Sequence, residues 1–120
     1  MKILLVDDET LDLFIAKTLL QSEFEVEGFT SLNDCVLWAS QNDFDAVIID
    51  YYLGTDTYAH HALAAIQKVK SAPIKNAFVL SSFVDTKQQA ELKKAGFADV
   101  INKPISLDIV RAKLGRHTIA

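Results

Sequence analysis

Five times along this chain of 120 residues a short apolar run gives way to a stretch with helical periodicity, and that alternation limits the fold more than any other feature. The runs are KILLV (2–6), FEVEGF (24–29), DAVIID (45–50), AFVLSS (77–82) and ADVI (98–101). Runs this short, bounded by charged or turn-forming residues, read as strands. LDLFIAKTLL (11–20) then places Leu11, Phe14, Ile15, Thr18 and Leu19 on one helical face. SLND (31–34) opens a helix carrying Leu32, Cys35, Val36 and Ala39, and ALAAIQKV (62–69) stops before Pro73. TKQQAELKKA (86–95) begins with Thr86 and Gln89 at capping-box spacing and ends at Gly96, and SLDIVRAKL (106–114) follows the last strand. Strands joined through helices pair in parallel, and right-handed crossovers put helices on both faces of the sheet.

The patterning within the strands orders them. Val47, Ile48 and Ile49 show no alternation, as expected of a strand buried on both faces, and the first and fourth runs are similar. FEVEGF alternates, with Glu25 and Glu27 on one side, and ADVI is short, so both belong at edges. The expected order is 2-1-3-4-5, in one α/β domain spanning 1–120. Such a sheet binds ligands beyond the carboxyl ends of its strands where the order reverses, here between the first and third. A net charge of −4 argues against a nucleic-acid face, which needs a basic patch. The single cysteine, Cys35, excludes an internal disulfide and suits a reducing compartment. No apolar stretch reaches the ~18 residues of a membrane span, and the amino terminus does not read as a signal peptide, so the expected location is cytoplasmic.

The most apolar strand ends on an acid, Asp50, although an uncompensated buried carboxylate costs several kcal/mol. The same edge collects Asp7, Asp8 and Glu9 after the first strand, Ser81 and Ser82 after the fourth, and Lys103-Pro104 after the fifth. Three aspartates converging there repel one another unless a hard divalent cation joins them, and Mg2+ prefers such oxygen ligands. Mg2+ and Lys103 together balance the three carboxylates. A carboxylate so neutralised is arranged to attack phosphorus, with Lys103 and Ser81 stabilising the charge on the equatorial oxygens. Singly, each residue has a plainer reading: the acid pair as a helix cap, Ser81 as a loop hydroxyl, Lys103-Pro104 as a surface turn.

Taken together, Asp7, Asp8, Asp50, Ser81, Lys103-Pro104 and the segment GFADVINKP resemble the receiver domain of two-component response regulators, over essentially the whole chain. The resemblance implies a flavodoxin-like fold and a phosphorelay role, with Asp50 taking a phosphoryl group from a sensor histidine kinase or a phosphotransfer protein. It implies Mg2+ held by Asp8, Asp50 and the backbone carbonyl of Tyr52, with Asp7 acting directly or through water. Ser81 would swing towards the phosphoryl group, and the fourth helix, fifth strand and fifth helix would meet a downstream partner or output domain. It also allows a homodimer. The sequence departs from the family at Val100, where an aromatic residue is usual, and at Gly54, where proline is frequent.

Two rival readings use the same residues. An aspartyl-nucleophile phosphatase would need a second acid two residues after Asp50, where Tyr52 stands. A binding module that signals without phosphorylation would not need the full acid set. Of the remaining residues, His60 and His61 read as a solvated face with their rings apart, and Cys35 and Trp38 as core packing. Lys93, Lys94, Arg111, Lys113 and Arg116 read as solvated helix faces, and His117 falls in the terminal tail.

Overall fold

The computed structural model describes residues 1–118, with side chains to residue 115, so Arg116 and His117 lie outside the described side chains. The elements alternate: β1 (Lys2–Val6), α1 (Thr10–Leu20), β2 (Glu25–Phe29), α2 (Leu32–Gln41), β3 (Ala46–Asp50), α3 (Ala59–Lys68), β4 (Ala77–Ser81), α4 (Thr86–Lys94), β5 (Asp99–Asn102) and α5 (Leu107–Thr118). All four strand pairings are parallel and the order is β2-β1-β3-β4-β5, as the apolar patterning predicts.

Successive strand side chains point to opposite faces, so the continuous apolar runs feed two cores. Leu4, Val6, Val47, Ile49, Ala77 and Val79 meet α2, α3 and α4 through Cys35, Ala39, Leu63, Ile66 and Leu92. Ile3, Leu5, Ala46, Ile48, Phe78 and Leu80 meet α1 and α5 through Ala16, Leu20, Val110 and Leu114. Cys35 is fully buried, and that burial pushes its thiol up to about 12, so it packs as a small apolar group. Trp38 packs at the edge of the first core, as expected.

The orientation of α1 overturns the expected stripe. Leu11, Phe14, Ile15 and Leu19 are 68, 66, 53 and 36% exposed, and the face on the sheet is Leu13, Ala16 and Leu20. The helix is apolar on two sides, so periodicity alone does not choose between them. Only three residues join β1 to α1, and Leu13 fits over Gly28 of β2, where a Cβ would lie 3.1 Å from Leu13 Cδ1. Small Ala16 lets the helix sit close to the sheet.

Other departures concern caps and charges. The α4 capping box is Asp85 and Gln88, one residue before the expected pair, with Gln88 N–H donating to Asp85 Oδ1 at 2.7 Å. Helix α3 starts at Ala59, earlier than expected, because Tyr58 N–H donates to His61 Nδ1 at 3.0 Å. The His60 and His61 rings are therefore not splayed, and their centroids are 4.1 Å apart. Arg111 is held by Glu23 at 2.7 Å and Asp108 at 2.8 Å, and Lys113 by Asp99 at 2.9 Å. Those bases tie α5 to its neighbours where simple solvation was expected.

Candidate functional site

Strand register brings the candidate residues to one level. Ile49 pairs with Val6, Asp50 with Leu80, and Ser81 with Asn102, so Asp7, Asp50, Ser81 and Lys103 all emerge at the same edge. Asp7, Asp50 and Ser81 are the buried polar residues among those described, at 1, 7 and 6% exposure. Oxygen atoms of Asp7, Asp8 and Asp50 lie within 4.8 Å of one another. Lys103 Nζ sits 2.9 Å from Asp50 Oδ1, and the Lys103-Pro104 peptide bond is cis.

The surroundings perturb these groups in ways the geometry explains. Burial pushes the Asp7 carboxyl up to about 6; the Glu9 N–H, donating to Oδ1 at 3.0 Å, opposes this, and the charge of Asp50 adds to it. Burial also raises Asp50, helped by Asp8, and outweighs the nearby Lys103. Lys103 loses some basicity to partial burial, but its bond to Asp50 and the charges of Asp50 and Asp7 hold it above its ordinary value. Neither Asp7 nor Asp8 caps α1, whose N-cap is Glu9 without a side-chain cap bond.

Asp7 Oδ2 is buried and has no hydrogen-bond partner. An orphaned carboxylate oxygen among three converging carboxylates is a donor set that fits a hard divalent cation. Ser81 lies at the same edge with its hydroxyl engaged by Phe83: Oγ donates to the Phe83 carbonyl at 3.0 Å and accepts from Phe83 N–H at 3.3 Å. Tyr52 begins a small hairpin, its backbone bridging antiparallel to Tyr58. A cleft of about 450 Å3 over the acids is lined by Asp8, Asp50, Tyr52, Ser81, Phe83 and Lys103. A larger one of about 610 Å3 lies at the opposite edge, beside Asp43, Phe44, Lys70 and Pro73. There Lys70 is already occupied by the Ala39 and Asn42 carbonyls and Asp43, so no converging reactive set faces it.

Sequence reasoning missed how the segment after Asp50 is built. Gly54, at φ +82°, passes so close to Asp8 that a Cβ would lie 3.0 Å from its Oδ2. Thr55 and Asp56 follow at φ 47° and 59°, and Thr57 N–H closes the turn on the Gly54 carbonyl at 2.9 Å. Two left-handed central residues make a type I′ turn, which usually signals itself as Asn-Gly; Thr-Asp carries no such signal.

The family profile described as the response regulator receiver domain matches residues 3–114. No curated protein sequence matches the chain. Among solved structures it is similar to the chemotaxis protein CheY4 of Vibrio cholerae, 22% identical with a TM-score of 0.81, covering 97% of each chain. A receiver domain from Clostridium thermocellum has 22% identity and a TM-score of 0.82, with 98% of this chain and 93% of that one covered. The BeF3-activated DrrB receiver domain has 24% identity and a TM-score of 0.77, covering 97% and 95%.

Proposed function

Because the chain belongs to the response regulator receiver domain family, we propose that it accepts a phosphoryl group on Asp50 from a phosphohistidine and thereby changes a surface read by a partner. The observation that carries this is a buried carboxylate at the end of an apolar strand, held 2.9 Å from Lys103 and flanked by two further acids. Asp7, Asp8, Asp50 and the backbone carbonyl of Tyr52 would hold Mg2+, which when bound supplies positive charge to the phosphoryl oxygens.

Asp50 attacks phosphorus through a carboxylate oxygen; the new O–P bond forms as the donor's P–N bond breaks, and the imidazole leaves with the bonding pair and takes a proton. Lys103 passes from Asp50 Oδ1 to a phosphoryl oxygen. The Ser81 hydroxyl leaves the Phe83 carbonyl to donate to another. Strand β3 fixes the nucleophile on a rigid element, so little has to be reorganised during transfer. In this reading the domain catalyses only its own phosphorylation and dephosphorylation, in the cytoplasm, and signals through α4, β5 and α5 or an attached output domain.

The exposed apolar face of α1 supports a docking donor. Ile15 also lines a mainly apolar cleft of about 450 Å3 that reaches Lys103 past Pro104 and Ile105. A helix of a sensor kinase or phosphotransfer protein laid there would bring its phosphohistidine to Asp50. Phe14→Glu is therefore expected to slow transfer from a cognate donor at least ten-fold, since burying an unpaired charge costs several kcal/mol, and to leave uptake from a small acyl phosphate unchanged. Equal slowing of both reactions would refute docking on α1.

The function itself is tested by incubation with acetyl phosphate and Mg2+ and intact mass measurement, beside Asp50→Asn. Expected is a mass gain of one phosphoryl group, absent from the variant and without Mg2+. No gain, under conditions where another receiver reacts, would favour an interaction module that works without phosphorylation.

A further inference from the structure

Val100 leaves β5 without a ring to couple the acids to the rest of the fold; it is half-buried and packs against the first core. The ring that packs against the first core and reaches helix α4 belongs instead to Tyr51, the residue after Asp50. Its N–H donates to the Leu80 carbonyl at 2.9 Å and its carbonyl accepts from Ala59 N–H at 2.9 Å, so its backbone is pinned between β4 and α3. Its ring lies edge-on to Tyr58, centroids 5.6 Å apart. Its hydroxyl accepts a hydrogen bond from Gln88 Nε2 at 3.3 Å.

Gln88 is also the residue that starts α4. Its Oε1 accepts from Asp85 N–H at 3.0 Å while its own N–H donates to Asp85 Oδ1 at 2.7 Å. Helix α4 has little else to fix it, because Leu92 is its single buried residue. Beside the packing of Val84 against the first core, two polar contacts that lead back to the acids locate its first turn. One is the Tyr51–Gln88 bond. The other is the Ser81–Phe83 pair, which folds the chain just before Asp85.

We propose that Tyr51 is a positioning residue that couples the state of Asp50 to the first turn of α4 through Gln88, taking the part a β5 aromatic would play. The inference rests on the phosphoryl-acceptor reading. A hydroxyl donates one hydrogen bond, so Ser81 gives up the Phe83 carbonyl when it turns to a phosphoryl oxygen. Residues 83–85 then lose that hydrogen bond, and beside the packing of Val84 the Tyr51–Gln88 bond is the polar contact from the acceptor segment that still holds the capping box. Phosphorylation is thus reported as a change in the amino-terminal turn of α4.

The test is hydrogen exchange across residues 83–92, with and without acetyl phosphate and Mg2+, in the wild type, Tyr51→Phe, Gln88→Ala and the double variant. Tyr51→Phe deletes only the hydroxyl. Phosphoryl uptake is followed by mass in each sample, so failure to accept a phosphoryl group is separated from failure to transmit it. Expected is a wild-type change on phosphorylation that Tyr51→Phe alters about five-fold, the equivalent of one ordinary hydrogen bond. Adding Tyr51→Phe to Gln88→Ala should change nothing more, because the bond is already gone. A purely structural hydroxyl would shift both states equally and leave their ratio intact. Full phosphoryl uptake with the same exchange ratio in the wild type and Tyr51→Phe would overturn the proposal.

Discussion

Gly54→Pro is expected to destabilise this protein by about 3 kcal/mol and to weaken the proposed Mg2+ binding by an order of magnitude or more. Proline is confined to φ near −65°, whereas position 54 stands at φ +82° beside Asp8. Accepting the ring means rebuilding the hairpin in which Leu53 N–H donates to the Thr57 carbonyl and Tyr52 bridges Tyr58. That hairpin carries the Tyr52 carbonyl proposed as a metal ligand and borders the Asp8 carboxylate, so stability and affinity should fall together. Gly54→Ala should lower both by less. Its left-handed backbone costs about 1–2 kcal/mol, and its Cβ, 3.0 Å from Asp8 Oδ2, must push that carboxylate aside. Asp56→Gly should act oppositely on stability, gaining up to about 1 kcal/mol by relieving the second left-handed position, while leaving affinity alone. Urea unfolding and Mg2+ titration followed by tyrosine fluorescence measure both quantities. A Gly54→Pro protein as stable and as tight as the wild type would mean that the loop holds no preference for this conformation.

The strands were legible because each is short and apolar enough to admit one reading, and their patterning separated the buried strands from the edges. The converging acids were legible for the same reason, since strand ends are where a parallel sheet concentrates its chemistry. Helix faces were less so. In α1 two apolar stripes compete, and the choice of Ala16 and Leu20 over Phe14 and Ile15 follows from a tight connection and a glycine on β2, neither of them a local signal. The expected cap of α4 is one residue late because Asp85-Gln88 and Thr86-Gln89 both carry the spacing, and what distinguishes them is long-range: Gln88 bonds the Tyr51 hydroxyl. Most of what was missed after Asp50 is long-range: Tyr51 reaching Gln88 and Gly54 making room for Asp8 are contacts between segments that periodicity does not relate.

Metal-free protein is expected to lose stability as pH rises from about 4 to about 6 and then to level off, and Asp7→Asn should abolish most of that loss. The Asp7 carboxyl stands at about 6 in the fold against an ordinary 3.8, chiefly through burial. The folded state therefore keeps a proton across this window that the unfolded chain has released, and stability falls with pH wherever the folded state binds more protons. Its full size, at ~1.4 kcal/mol per pH unit, is up to about 3 kcal/mol, an upper bound because the cleft above the acids is open to water. Asp50, also raised, contributes in the same direction. Asn removes the charge, so above pH 7 the variant should be the more stable protein without metal. Mg2+ should reverse the ranking: in the proposed site it would bind the buried oxygen of Asp7 and stabilise the wild type by an amount that grows with the logarithm of its concentration over Kd, whereas the variant would lack that ligand. Thermal unfolding of both proteins at pH 4, 6 and 8, with chelator and with Mg2+, reads all of this. If Asp7→Asn is the less stable protein at pH 8 without metal, the acids are not in conflict there. The buried oxygen of Asp7 would then not be the feature that calls for a cation.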